Sequence, residues 1–130
     1  MAGVRVIFFK ELDGTVPLID WLESLQEKRA RSKCLALVKL LSVMGHDLRR
    51  PRSDALRAGI RELRTEAGHV NYRILYFFYG KDCVVLSHGL TKDSSVPDSE
   101  INKAIERKTA FASDPDKHTF YETNENDEET

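Results

Sequence analysis

Gly59-Ile-Arg-Glu-Leu-Arg-Thr65, Tyr72-Arg-Ile-Leu-Tyr-Phe-Phe-Tyr79 and Cys83-Val-Val-Leu-Ser-His-Gly-Leu90 follow one another closely in the chain. Each is rich in β-branched, aromatic or aliphatic residues and is bounded by turn signals, which predicts three strands. The connections are short: Glu66 to Asn71 contains Gly68, and Gly80 to Asp82 is a tight turn. Neither can hold a crossover helix, so the three strands form an antiparallel meander. The Tyr72–Tyr79 run is the most apolar and is expected at the centre of the sheet.

Outward from this meander, Val4 to Phe9 reads as a first strand, ended by Asp13 and Gly14. Thr15 offers an N-cap and Pro17 suits a first helical turn. Leu18, Trp21, Leu22 and Leu25 keep helical spacing, and Lys28 and Arg29 suit the end of that helix. A second helix is predicted from about Arg29 to Met44, with Cys34, Leu37, Val38 and Leu41 on its buried face and Gly45 as its stop. His46 to Ala55 reads as a polar loop. On the C-terminal side, Ser95 and Asp98 stand in capping positions before a helix carrying Ile101, Ala104 and Ile105 and continuing to Ala112. The order β-α-α-β-β-β-α predicts one α+β domain over residues 1–113, with a helical hairpin and a C-terminal helix packed on a mainly antiparallel sheet. Residues 114–130 lose periodicity and read as an acidic, flexible tail.

The 130 residues suit a single domain, and 41% hydrophobic against 32% charged residues is ordinary for a globular protein. No apolar run is long enough to span a bilayer, and Met1 to Lys10 lacks the apolar core and small-residue site of a signal peptide, so a cytoplasmic location is expected. Cys34 and Cys83 form no metal or redox pattern and read as small core residues.

The net charge of −1 conceals an asymmetry. Residues 114–130 hold seven acids and one lysine, a charge of −6, which leaves +5 on residues 1–113. Between Lys28 and Arg73 twelve Lys and Arg face four acids, an excess of +8. Such a body suits a polyanionic partner, although a solvated basic surface has the same composition. There is no Gly-rich phosphate loop, no nucleophile elbow and no metal-ligand spacing; the four histidines (His46, His69, His88 and His118) are scattered. No cofactor or metal is expected. Arg73 opens the most apolar strand, where a permanently charged guanidinium must find an anion. Two partners are open to it: a substrate phosphate, or a carboxylate such as Glu62 or Glu66 on the neighbouring strand.

Three segments together, Leu56-Arg-Ala-Gly-Ile-Arg-Glu-Leu-Arg64, Asn71-Tyr-Arg-Ile-Leu-Tyr-Phe-Phe78 and Val84-Val-Leu-Ser-His-Gly-Leu-Thr-Lys92, resemble the HigB-type branch of the RelE/ParE superfamily, the toxins of type II toxin–antitoxin pairs. Pro97, Glu100 and Ile101 match that branch's final helix start, and Pro17 with Trp21 and Leu22 its first helix. The resemblance spans about residues 4–112. It implies helices on a curved sheet and metal-free cleavage of messenger RNA on the ribosome. In that reaction a ribose 2′-hydroxyl attacks the adjacent phosphate and the 5′-oxygen leaves. The resemblance assigns catalytic roles to Arg64, Arg73 and Lys92, because directed cationic donors stabilise a phosphorane and a leaving oxygen needs a proton. Arg61 of the meander, His88, which fits the family pattern, and Arg49, Arg50 and Arg52 of the polar loop are expected to bind the RNA. The implied partners are messenger RNA on the ribosome and a cognate helix-turn-helix antitoxin, with operator DNA reached only through that antitoxin. No membrane partner is implied.

The chain departs from the branch at Thr91-Lys92-Asp93, where two adjacent lysines are usual, and Asp93 is placed to pair with Lys92. Two other functions share the fold: gyrase poisoning of the ParE type, and a catalytically silent module that binds antitoxin or nucleic acid. The tail has two readings as well, a solubilising end or a strap that folds over Arg64, Arg73 and Lys92 and is anchored by Phe120 and Tyr121.

Overall fold

The computed structural model describes residues 3–92 and 94–121. β1 (Arg5–Phe8) leads into α1 (Pro17–Ser24) and α2 (Lys28–Met44). A 3₁₀ turn over Gly45–Asp47 precedes β2 (Ser53–Ala55), β3 (Ile60–Ala67), β4 (Val70–Tyr79) and β5 (Cys83–Thr91). α3 (Asp98–Ser113) and a second 3₁₀ turn (Asp116–His118) complete the described chain. None of its helices is long and apolar enough to cross a membrane.

The five strands form one sheet in the order β1-β5-β4-β3-β2. The expected meander is β3-β4-β5, with β4 central and Arg64 opposite Arg73. Its first turn is tight because Gly68 and His69 both adopt left-handed φ angles, 59° and 67°, the geometry a two-residue hairpin requires. β1 is parallel to β5, with Arg5 opposite Cys83, which makes the sheet mixed.

β2 corrects the expected element order. Ser53–Ala55 is too short and polar to announce a strand, yet it pairs antiparallel with β3, Asp54 opposite Glu62. The buried Ser53 hydroxyl bonds the Tyr76 hydroxyl, and Arg61 donates to both oxygens. Helix starts differ too. Val16, not Thr15, precedes α1, and the Thr15 hydroxyl donates to Asp13 instead. Pro97 precedes α3, and neither Ser95 nor Asp98 caps it with a side chain.

The helices divide between the two faces of the sheet. Leu18 and Leu22 of α1 and Ala30, Cys34, Leu37 and Leu41 of α2 pack on Leu63, Tyr72, Ile74, Tyr76, Val84 and Leu86. Ile101, Ala104 and Phe111 of α3 pack on Ile60, Leu75, Phe77, Val85 and Leu90. Strand alternation produces this division: in β4, Tyr72, Ile74 and Tyr76 point one way, and Leu75 and Phe77 the other. Each fully buried Leu or Phe contributes roughly 1.5–3 kcal/mol, so both faces are needed to stabilise a domain this small.

One irregularity decides which residues reach α3. The β4–β5 register shifts between Leu75, opposite His88, and Tyr76, opposite Leu86. Ser87 is thus an extra residue, a β-bulge. Beyond it the alternation is reset: Leu90 joins the α3 core, and Gly89 turns to α1. A Cβ on Gly89 would lie 2.1 Å from the Trp21 ring, so only glycine lets α1 seat its indole against β5.

Past residue 113, the expected end of the domain, the chain keeps packing on the sheet. His118 stacks on Phe9 with ring centroids 4.9 Å apart, and its Nδ1 lies 2.8 Å from the Lys10 carbonyl. Thr119 bridges Phe9, and the Phe120 N–H donates to the Phe8 carbonyl. Residues 118–120 therefore cover part of the β1 edge. Phe120 lines a recess with Val6, Phe8 and Ile19, at the opposite edge of the sheet from β2 and β3, so it does not anchor a strap over Arg64 and Arg73. Residues 122–130, the rest of the expected acidic tail, lie outside the described residues.

Candidate functional site

Glu62 and Arg64 on β3 and Arg73 on β4 share the α3 face of the sheet, because Arg64 faces Arg73 in register and Glu62 faces Leu75. Together with Arg57, Ser95 and Asp98 they line a recess of about 400 Å³ beside the start of α3.

Arg73 is held on every side. Its Nη1 lies 2.6 Å from Glu62 Oε1, and the two side chains are only 12% and 5% exposed. Its Nη2 donates to the Ser94 carbonyl at 2.9 Å and its Nε to the Lys92 carbonyl at 3.4 Å. Of the two partners left open by the sequence, the structure supplies the carboxylate, and it is Glu62. The guanidinium thereby clamps the chain that leaves β5, the segment bearing Lys92. Arg64 is held more lightly: its Nε donates to the Pro51 carbonyl at 3.2 Å. No hydrogen bond occupies its Nη atoms among the described residues. Lys92 is exposed. Asp93, expected beside it, lies outside the described residues.

The basic loop residues are at the surface. Arg49, Arg50 and Arg52 are exposed. Arg50 pairs with Asp54 at 3.1 Å, and this contact holds the Asp54 carboxyl below its usual pKa. Arg61 is half-buried, donating to Tyr76 and Ser53.

His88 is placed differently from the other expected RNA-binding residues. It is buried, 6% exposed, and lines neither this recess nor its neighbour. Arg107 Nη1 approaches its Nδ1 at 3.0 Å. A guanidinium only donates, so Nδ1 accepts and the proton sits on Nε2, which donates to Glu100 Oε1 at 2.9 Å. The bulge hydroxyl of Ser87 lies 2.8 Å from the same Nδ1. Arg107 also reaches Glu11 at 3.3 Å. Burial first, and the Arg107 charge second, push the His88 pKa down to about 4, with Glu100 opposing both. The imidazole is therefore neutral at pH 7, a structural link between β5 and α3.

A second recess, about 550 Å³, adjoins the first and shares Ala55, Leu56 and Arg57 with it. His46, Arg61, Phe78 and Lys108 are its larger side chains, and Ala58, Gly59 and Ile60 complete its walls. Sequence reasoning did not single out Arg57, Arg107, Lys108 or the His46–Phe78 pair. Only Gly59 hinted at the loop between the recesses, where Ala58 and Gly59 adopt φ of 54° and 82°. Among the described residues no three His, Cys, Asp or Glu side chains gather as a metal-binding group.

The family model described as phage-derived protein Gp49-like (DUF891) matches residues 20–109, more than half of the chain. This span runs from α1 through most of α3 and includes every residue lining the two recesses. No curated protein matches the chain. The chain belongs to the phage-derived Gp49-like family, a family of RelE-like toxins associated with toxin–antitoxin pairs, and such a toxin has an antitoxin as its partner.

Proposed function

We propose that the chain is the toxin of a type II pair, of the HigB type, and that it cuts messenger RNA on the ribosome through attack of a ribose 2′-hydroxyl on the adjacent phosphate. The observation that carries this reading is the convergence of Arg64, Arg73 and the Lys92 segment at one end of the α3 face. In this scheme Arg64 donates through its Nη atoms to the phosphorane oxygens, where a planar fork of charged donors is most effective. Lys92 supplies the proton for the departing 5′-oxygen, and the proton of the attacking 2′-hydroxyl passes to solvent water. Arg73 is a positioning residue: with Glu62 as counter-ion, it fixes the backbone that carries Lys92. The charges of Arg49, Arg50 and Arg52 add long-range attraction for the ribosome-bound strand.

Expression in bacteria tests the reading. The wild-type chain should arrest growth and deplete translated messages. Arg64→Ala should relieve both while the protein stays folded. Growth arrest with intact messages and altered DNA supercoiling would replace the nuclease by a gyrase poison.

A further inference from the structure

The second recess has features that cleavage at the first does not need. His46 stacks on Phe78 with ring centroids 3.8 Å apart and planes 15° from parallel. One imidazole face is covered by Phe78, and the residue as a whole is exposed. The ring is held in place, since His46 Nε2 lies 3.1 Å from the Lys81 carbonyl. Around this platform stand Arg61, Lys108 and Arg57, the last donating to Asn102 at 2.6 Å and 3.8 Å from Asp98, and among the described residues no carboxylate lines the recess itself. Lys108 uses one donor on the Ala58 carbonyl, at 3.0 Å, and has two more. Its amine sits where a Cβ on Gly59 would lie 2.4 Å away. The glycine thus makes room for the charge beside the loop.

A planar platform beside three cations calls for a ligand that is flat at one end and anionic at the other. A nucleotide of a single strand is both, and its base face is free to stack, unlike a base within a duplex. An acidic peptide would satisfy the cations but not the stacked ring. Arg57 lines both recesses, so a strand whose scissile phosphate lies by Arg64 can continue over the Ala58–Gly59 bend into the second. We propose that the recess formed by His46, Phe78, Arg57, Arg61 and Lys108 is a nucleotide subsite, with a base stacked on His46 and its phosphate held by the cations. The choice of polymer rests on the nuclease reading above; the stacking and the charge do not.

Binding of short 2′-O-methyl oligoadenylate, about six nucleotides long and resistant to this cleavage, tests the subsite, with an abasic strand of equal charge for comparison. His46→Ala should weaken oligoadenylate binding by about 10-fold and leave the abasic strand unaffected, while His46→Trp should retain affinity. Lys108→Ala should weaken both strands and reduce the slope of log affinity against log salt by about 0.7. The proposal is overturned if the wild-type protein binds neither strand, or if His46→Ala affects both equally or neither. His46-dependent binding without cleavage on ribosomes would leave the subsite standing and remove the nuclease.

Discussion

Arg73 and Glu62 form a nearly solvent-free ion pair, 2.6 Å long, two residues out of direct register across the β3–β4 pair. Removing the arginine would leave a buried carboxylate without its counter-charge and release the Lys92 and Ser94 carbonyls. Arg73→Ala should therefore destabilise the fold by about 3–5 kcal/mol, whereas Glu62→Leu with Arg73→Met should recover most of that stability, because apolar replacement of a buried pair is often close to neutral. The recovered double variant should still be impaired in activity, since Lys92 has lost its clamp. Urea unfolding of the three proteins is the check; a stable Arg73→Ala protein would refute the account of the pair.

His88 gives stability a defined pH dependence. Its folded pKa, about 4, lies below the ordinary imidazole value of 6.5. Between these values the unfolded chain binds a proton that the folded chain does not, so stability falls as pH drops from about 6.5 to 4, by up to roughly 1.4 kcal/mol per pH unit. Above that window the contribution is constant. Denaturant midpoints from pH 7 to pH 4.5 should show this slope, and His88→Gln should flatten it. An unchanged slope in the variant would assign the effect to other groups.

Gly89 is required by Trp21. With the ring 2.1 Å from an added Cβ, Gly89→Ala must displace α1 from β5 and should cost about 1–3 kcal/mol. Gly89→Ala with Trp21→Leu should cost less than the sum of the single changes, because the smaller side chain removes the clash. Simple additivity in thermal melts would show that the contact does not limit the packing.

Local pattern made the meander readable, and the non-local features escaped it. The alternation of Tyr72, Ile74 and Tyr76 against Leu75 and Phe77 announces a strand buried on both faces. Gly45 marks the end of α2 by its positive φ, 54°. By contrast, β2 exists because β3 offers it an edge and Arg61 and Tyr76 offer its serine partners. The bulge at Ser87 has no sequence signature, so the turn of His88 toward Glu100 and Arg107 could not be foreseen. The arginine clamp was half legible: the strand order limited Arg73 to Glu62 or Glu66, and only side-chain geometry chose between them. The His46–Phe78 stack joins a turn after α2 to the end of β4, a proximity set by tertiary packing.

In the proposed function, Arg64 and the Lys92 segment cut RNA by 2′-hydroxyl attack. Purified ribosomes programmed with a defined message, incubated with the wild-type chain, should yield 3′ ends bearing a 2′,3′-cyclic phosphate. A single 2′-deoxy substitution at the cut position should abolish the product, because the nucleophile is then missing. Arg64→Ala should slow cleavage by roughly 100- to 1000-fold, the usual loss for one preorganised donor. Intact message, or a product that survives the 2′-deoxy substitution, would contradict the account.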